Sequence, residues 1–368
     1  MQHVRLFLCG DVMTGRGIDQ ILPHPCAPQL HERYCRSAHD YVSLAEQANG
    51  PLPPHADATY PWGDALAVLD SRQPHARIIN LETAVTTSDD HCAGKEVLYR
   101  MHPDNVGCIA SARIDCCVLA NNHVLDWGRA GLRETLATLH RAGIRTSGAG
   151  ADETDAAAPA TLGLADNRTL RIYAYAAESS GVPLSWAATP HQGGLNFLPD
   201  ISMKHADEIG QRMAAERCAG DIVVISLHWG SNWGFEVGDD ERAFAHRLID
   251  SGGADLVYGH SSHHVRGMEV HRGRLVLYGC GDFLNDYEGI RGHERFRPDL
   301  ALMYFPVVDA DTGVLLEMSA VPMQIHHLRL RHAPAEGASW LRTTLAHENG
   351  KFGGQVIQDD TGALLLQW

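Results

Sequence analysis

The sequence predicts a layered α/β fold with central β-sheets flanked by helices, and three observations predict it. Short apolar or β-branched runs that end in a polar residue recur along the chain. Several of them alternate with amphipathic segments whose apolar residues repeat near a 3.6-residue period. The length of 368 residues, with 44% hydrophobic residues and 36 glycines, suits one large or two ordinary domains rich in loops.

The strand candidates are, in order, "VRLFLCGD", "ARIINLE", "DCCVLANNH", "LRIYAYA", "DIVVISLHWG", "DLVYGH" and "RLVLYGCGDF". Near-continuous apolar character marks them as strands buried on both faces. The helix candidates between them are "YPWGDALAVLDSR", "GRAGLRETLATLHRAG", "ADEIGQRMAAERC" and "DDERAFAHRLIDSGG". Residues 20–60 are rich in Pro and His without clear periodicity, and read as a long ordered loop over the site. After residue 300 two stretches alternate like antiparallel strands around an Asp-Thr-Gly turn; a short helix, "GASWLRTTLAHENG", and a last strand pair close the chain.

A formal charge of −15 argues against a nucleic-acid backbone or an anionic membrane as the main partner. No stretch reads as a secretion leader or membrane span, so a cytoplasmic location is expected. The nine cysteines form no CxxC pair, and most lie in apolar segments, which suits buried reduced thiols. Cys280 reads as an inert core thiol.

Loops at the carboxyl ends of strands in one sheet lie along one edge of it. Asp11, Glu82, Asn122 with His123, His228 and His260 all stand at such ends, so they are expected to converge. Together with His263 or His264 they supply carboxylate, amide-carbonyl and imidazole ligands for one or two divalent ions. Met13, two residues after Asp11, is a thioether and a poor partner for a hard cation.

The order "GDVM", "NLET", "NNH", "HWG", "GHSSHH", "GDF" resembles the CapA-like family, relatives of the poly-γ-glutamate synthesis protein. The resemblance implies the calcineurin-like metallophosphatase fold. It spans about residues 3–310, so residues 1–310 are expected to form that domain, with a C-terminal β-rich extension over 311–368 packed on it. The resemblance implies metal ligation by Asp11, Glu82, Asn122, His228, His260 and His263. Where metallophosphatases place Asp-x-His, this chain has Met13, and Glu82 replaces the usual Asp. Both departures weigh against ordinary two-metal phosphoester hydrolysis.

One branch of the family accompanies ribosomally made lasso peptides and is implicated in converting a C-terminal residue to its D form. The leading expectation is therefore a peptide Cα epimerase, acting on a peptide presented alone or with a precursor-binding partner, and needing no cofactor. Inversion needs two titratable groups flanking the carbon. Asp11 is one. His293, in "EGIRGHERFR", is the favoured second because no metal motif claims it; His123, His228 and His260 are alternatives. Arg16 is expected to clamp the substrate carboxylate, with Arg100 and Arg266 weaker candidates. Trp229 and Trp233 are expected to wall the pocket. The alternatives are a phosphoesterase dependent on Mn, Fe or Zn, with His123 protonating the leaving group, and a poly-γ-glutamate handling protein. Oligomeric state is left open.

Overall fold

The strand His3–Val12 organises the molecule. The computed structural model describes residues 3–53 and 55–368, and in it this strand sits near the middle of a ten-stranded sheet. On one side it pairs in parallel with Ala76–Leu81, followed by Cys116–Val118 and Arg145–Ser147. On the other it pairs antiparallel with Leu300–Asp309, which continues into Leu315–Ile325, Leu364–Gln367 and Gln355–Gln358. The expected layered α/β class is what the chain adopts.

A second, seven-stranded sheet has a parallel centre made of Thr169–Ala177, Ile222–His228, Leu256–His260 and Arg274–Leu277. The strand Ile222–His228 shows why its first four residues are apolar on both faces. Ile222 and Val224 belong to a core shared with Leu8, Ile78 and other residues of the first sheet, whereas Val223, Ile225 and Leu227 belong to a second core. That second core is closed by Ile209 and Met213 of helix Met203–Glu216 and by Phe244 and Leu248 of helix Asp239–Asp250. Each such side chain taken from water contributes about 1.5–3 kcal/mol.

Capping explains where these helices start. The Ser202 side chain accepts from the backbone N–H of His205. Asp239, Asp240 and Glu241 fill the first turn of the other helix, where carboxylates complement the helix dipole. The two sheets are also pinned by a polar contact. The Tyr258 hydroxyl, from the second sheet, donates to the Cys9 carbonyl of the first and accepts from the Cys9 N–H.

The stretch 20–60 departs from the expected loop. It contains a 12-residue helix, Ala38–Asn49, whose buried residues Ala38, Tyr41 and Ala45 keep a helical spacing too sparse to stand out among the prolines and histidines. The expected boundary after residue 310 falls in the turn between two long paired strands, so the C-terminal strands prolong the first sheet. Among the described residues no helix is long and apolar enough to cross a membrane.

Candidate metal centre and adjoining pocket

Strand register delivers the site. In the first sheet Asp11 lies opposite Asn80 on one neighbour and Asp282 on the other. In the second, His228 lies opposite His260. The first strand is irregular at Gly10, where an added Cβ would fall 1.8 Å from the Gly281 carbonyl oxygen, so only glycine permits the approach. Two Cys-Gly-Asp tripeptides, residues 9–11 and 280–282, therefore run side by side and place two acids at one level.

Asp11 is fully buried; its Oδ1 accepts from Asn80 Nδ2 at 2.8 Å and lies 2.8 Å from His260 Nδ1. The same Asn80 amide donates to Glu82 Oε2 at 3.3 Å. Glu82 Oε1 is 3.8 Å from His123 Nε2 and 4.0 Å from His228 Nε2. One ligand atom each from Asp11, Glu82 and His228 lie within 4.8 Å of one another.

The polar atoms left over describe what the cluster is built to hold. Asp11 Oδ2, Asn122 Oδ1, His260 Nε2 and both ring nitrogens of His228 are buried without a hydrogen-bond partner among the described residues. Burial without a partner costs each about 1–3 kcal/mol. All of them come from residues of the expected ligand set, and their chemistry suits a borderline divalent ion such as Mn, Fe or Zn.

Electrostatics agree. Burial, with Asp11 and Asp282 nearby, pushes the Glu82 carboxyl well above its usual range. Burial also opposes ionisation of Asp11, but the bond and charge of His260, with His228 and Asn80, outweigh it and hold Asp11 below the usual range. His228 is held neutral by burial, its pKa lowered to about 3. A cation among these groups stabilises the second carboxylate.

His123 is held in place by its neighbours. Its Nδ1 is 2.6 Å from Asp126 Oδ2, and its Nε2 faces Glu82. Asp126 is fixed by the Tyr99 N–H and the Lys95 ammonium. Burial, then Lys95 and other cations against the pull of Asp126, bring the His123 pKa down to about 4.

The two adjacent histidines divide their work. His263 Nδ1 contacts Asp282 Oδ1 at 2.9 Å and its Nε2 contacts Asn232, so both nitrogens are engaged, and its ring lines a cavity. His264 staples a loop, with Nδ1 on the Val265 carbonyl and Nε2 accepting from Gly234 N–H.

The cavity, about 520 Å³, opens above His263. Its walls include Tyr34, Tyr99, Trp233, Tyr287 and His293. The His293 ring lies flat on Trp233, centroids 3.8 Å apart, and makes no hydrogen bond among the described residues. Asp11 is not in the lining, and no described interaction joins it to His293.

Four expected substrate contacts are committed to other partners. Arg16 borders the cavity, but its guanidinium binds Asp286 bidentately, Glu32 at 2.9 Å and the Tyr41 hydroxyl at 2.8 Å, so four of its five N–H donors are taken. Arg100 lies 3.8 Å over the Trp127 ring and bonds Ser88 and Asp89, outside the cavity lining. Trp229 is a fully buried core residue against Tyr278 and Phe244, because its side chain leaves the strand end toward the helices. Arg266 likewise pairs with buried Glu241. Met13 is fully buried and its sulfur accepts from the Tyr287 hydroxyl at 3.8 Å.

Asn80, Asp126 and Asp282 belong to the site although sequence reasoning did not single them out. The repeated Cys-Gly-Asp tripeptide was the available signal for Asp282. Asn80 and Asp126 carried none beyond adjacency to Glu82 and His123.

The fold and this cluster define a layered α/β protein whose strand ends carry a buried carboxylate, amide and imidazole site. The chain belongs to the family of bacterial capsule synthesis protein PGA_cap, whose model matches residues 5–287. A probable polyglutamine synthesis accessory protein of Mycobacterium tuberculosis is 47% identical over 355 residues, 96% of this chain and 93% of that one. The PGA biosynthesis protein CapA of Bacillus subtilis is 26% identical over 286 residues, covering 77% of this chain and 70% of its own length. A solved phosphatase from Mycoplasma pneumoniae aligns over 88% of this chain and 95% of its own, at 12% identity and a TM-score of 0.48.

Proposed function

We propose that the chain is a divalent-metal-dependent hydrolase, with Asp11, Glu82, Asn122, His228 and His260 as the metal ligands. The observation that carries this reading is the meeting of Asp11, Glu82 and His228 from both sheets, with Asp11 Oδ2 and both His228 ring nitrogens buried and partnerless among the described residues. A divalent ion in such a site supplies Lewis acidity and a water acidic enough to deprotonate near neutral pH.

The chain's own residues do the rest. Asn80 ties Asp11 to Glu82 and fixes their spacing. His260 Nδ1 on Asp11 leaves Nε2 as the ligand atom, the arrangement in which a carboxylate sets the tautomer. His123 is neutral with its Nδ1–H held by Asp126, so its Nε2 acts as an acceptor that takes a proton from the attacking water. The cavity above His263 receives the substrate. The names of the relatives point to glutamate-polymer synthesis as the setting, with an accessory role for this chain.

A second reading, Cα epimerisation by Asp11 and His293, is favoured by one observation: the His293 ring lines the cavity with its nitrogens uncommitted. Against it, Asp11 is buried beneath His260 and Asn80. The two readings separate in one experiment. Chelator-sensitive cleavage of a chromogenic phosphodiester, abolished by His228→Ala, supports the hydrolase. Chelator-resistant deuterium uptake into a peptide from heavy water, lost in both Asp11→Asn and His293→Asn, would replace it with the epimerase.

A further inference from the structure

Asn122 is the most weakly tethered of the proposed metal ligands, and its one tether lies outside the metal cluster. The residues beside it in the turn are tied several times over. The Asn121 side chain accepts from the His123 and Val124 N–H groups and donates to Asn80 and to the Leu81 carbonyl. Asn122 makes a single hydrogen bond among the described residues, in which its backbone carbonyl accepts from the Lys95 ammonium. Its side-chain Oδ1 is buried without a partner there.

The sequence "CAGK", residues 92–95, brings Lys95 to that carbonyl. It closes a turn in which the Lys95 N–H donates to the Cys92 carbonyl at 3.3 Å and Gly94 has a φ of 86°. A type II turn needs that left-handed value at its third residue, and glycine adopts it without strain. The Cys92 N–H donates to the Asp126 carbonyl at 2.7 Å, so the turn is docked on the segment that carries His123 and Asp126. The chain has three lysines. Lys204 and Lys351 are exposed and pair with glutamates one helical turn away. Lys95 points inward instead, its side chain 23% exposed. Its ammonium bonds Asp126 Oδ1 as well as the Asn122 carbonyl, and stands 3.0 Å from His123 Nδ1. The Trp186 ring covers it from 5.2 Å. A compact ammonium with three rotatable donors can join acceptors on two converging segments, which a rigid planar guanidinium does less readily.

We propose that Lys95 is a positioning residue of the metal centre: by joining the Asn122 carbonyl to Asp126, it aims the Asn122 side chain at the ion and keeps His123 beside it. This rests on the reading of Asn122 as a ligand in a metal centre. A ligand left loose must be ordered at each binding event, so the group that holds it governs affinity without touching the ion.

The test is calorimetric titration of the metal-free chain with Mn²⁺, for the parent, Lys95→Met, Asn122→Ala and the double variant, with circular dichroism to follow folding. Lys95→Met is expected to weaken Mn²⁺ binding about tenfold, the lower end of what such partners contribute. On the Asn122→Ala background the same substitution is expected to weaken it less than about twofold, because the residue it positions is gone. Lys95→Gln keeps two N–H donors and serves where Lys95→Met does not fold; its expected loss is about threefold, again only with Asn122 present. Lys204→Met, on the surface, is expected to bind as the parent does. A lysine variant that binds Mn²⁺ as tightly as the parent, or an equal loss with and without Asn122, would overturn the proposal and leave the metal centre standing. A parent that takes up no Mn²⁺ would overturn the metal centre and the proposal together.

Discussion

Arg16→Met distinguishes a buried latch from a substrate clamp. The arginine is 4% exposed and holds two carboxylates, Asp286 and Glu32, that are each 1% exposed. Removing the cation leaves both without their main partner, and breaking a buried pair in this way costs about 3–5 kcal/mol. At about 2.1 cal/mol/K per residue, 368 residues give an unfolding entropy near 0.8 kcal/mol/K, so Tm is expected to fall by about 4–6 °C. Arg16→Lys keeps the charge but loses the fork on Asp286, and is expected to fall between the two. Scanning calorimetry of the three proteins measures this. A loss under about 1 kcal/mol for Arg16→Met, combined with a large rise in KM, would refute the latch and restore Arg16 as a substrate contact.

Other consequences are quickly checked. Glu82 is held protonated by burial and by Asp11 and Asp282, whereas His228 is already neutral, so a cation must displace a proton from the carboxyl. Metal affinity is therefore expected to rise with pH above the ordinary carboxyl range, with proton release seen as a buffer-dependent binding enthalpy; a flat profile would contradict this. Metal at a hundredfold excess over Kd is expected to raise Tm by about 3–4 °C, from about 2.7 kcal/mol of linkage, and the same metal should not stabilise His228→Ala. Only Cys218 is exposed and Cys92 half-buried, so a thiol reagent should label one cysteine fast and a second slowly in the native protein. Fast reaction of three or more would mean that the segments carrying the seven buried cysteines are not packed as described.

The parts of the site legible in the sequence were those governed by strand geometry. A polar residue that ends an apolar run sits at the sheet edge whatever the strand order, and this brought Asp11, Glu82, His228 and His260 into view. What stayed hidden depended on partners distant in sequence. Arg16 looked available because Glu32, Tyr41 and Asp286 are 16, 25 and 270 residues away. Trp229 looked like a pocket wall because the strand-end pattern does not say which way the next side chain turns, and it turns into the helix layer. His263 and His264 were indistinguishable by type; only Asp282 and Gly234, brought in by folding, separate them. The helix Ala38–Asn49 was obscured by three widely spaced apolar anchors in a polar stretch.

Elemental analysis of chain expressed in medium supplemented with Mn, Fe and Zn, alongside Asp11→Asn and His228→Ala, tests the metal centre most directly. About one divalent ion per chain is expected in the parent, removable by chelator, and little in either variant at unchanged circular dichroism. A parent chain that holds no ion after incubation with excess metal, or variants that retain it in full, would contradict a metal centre at Asp11 and His228.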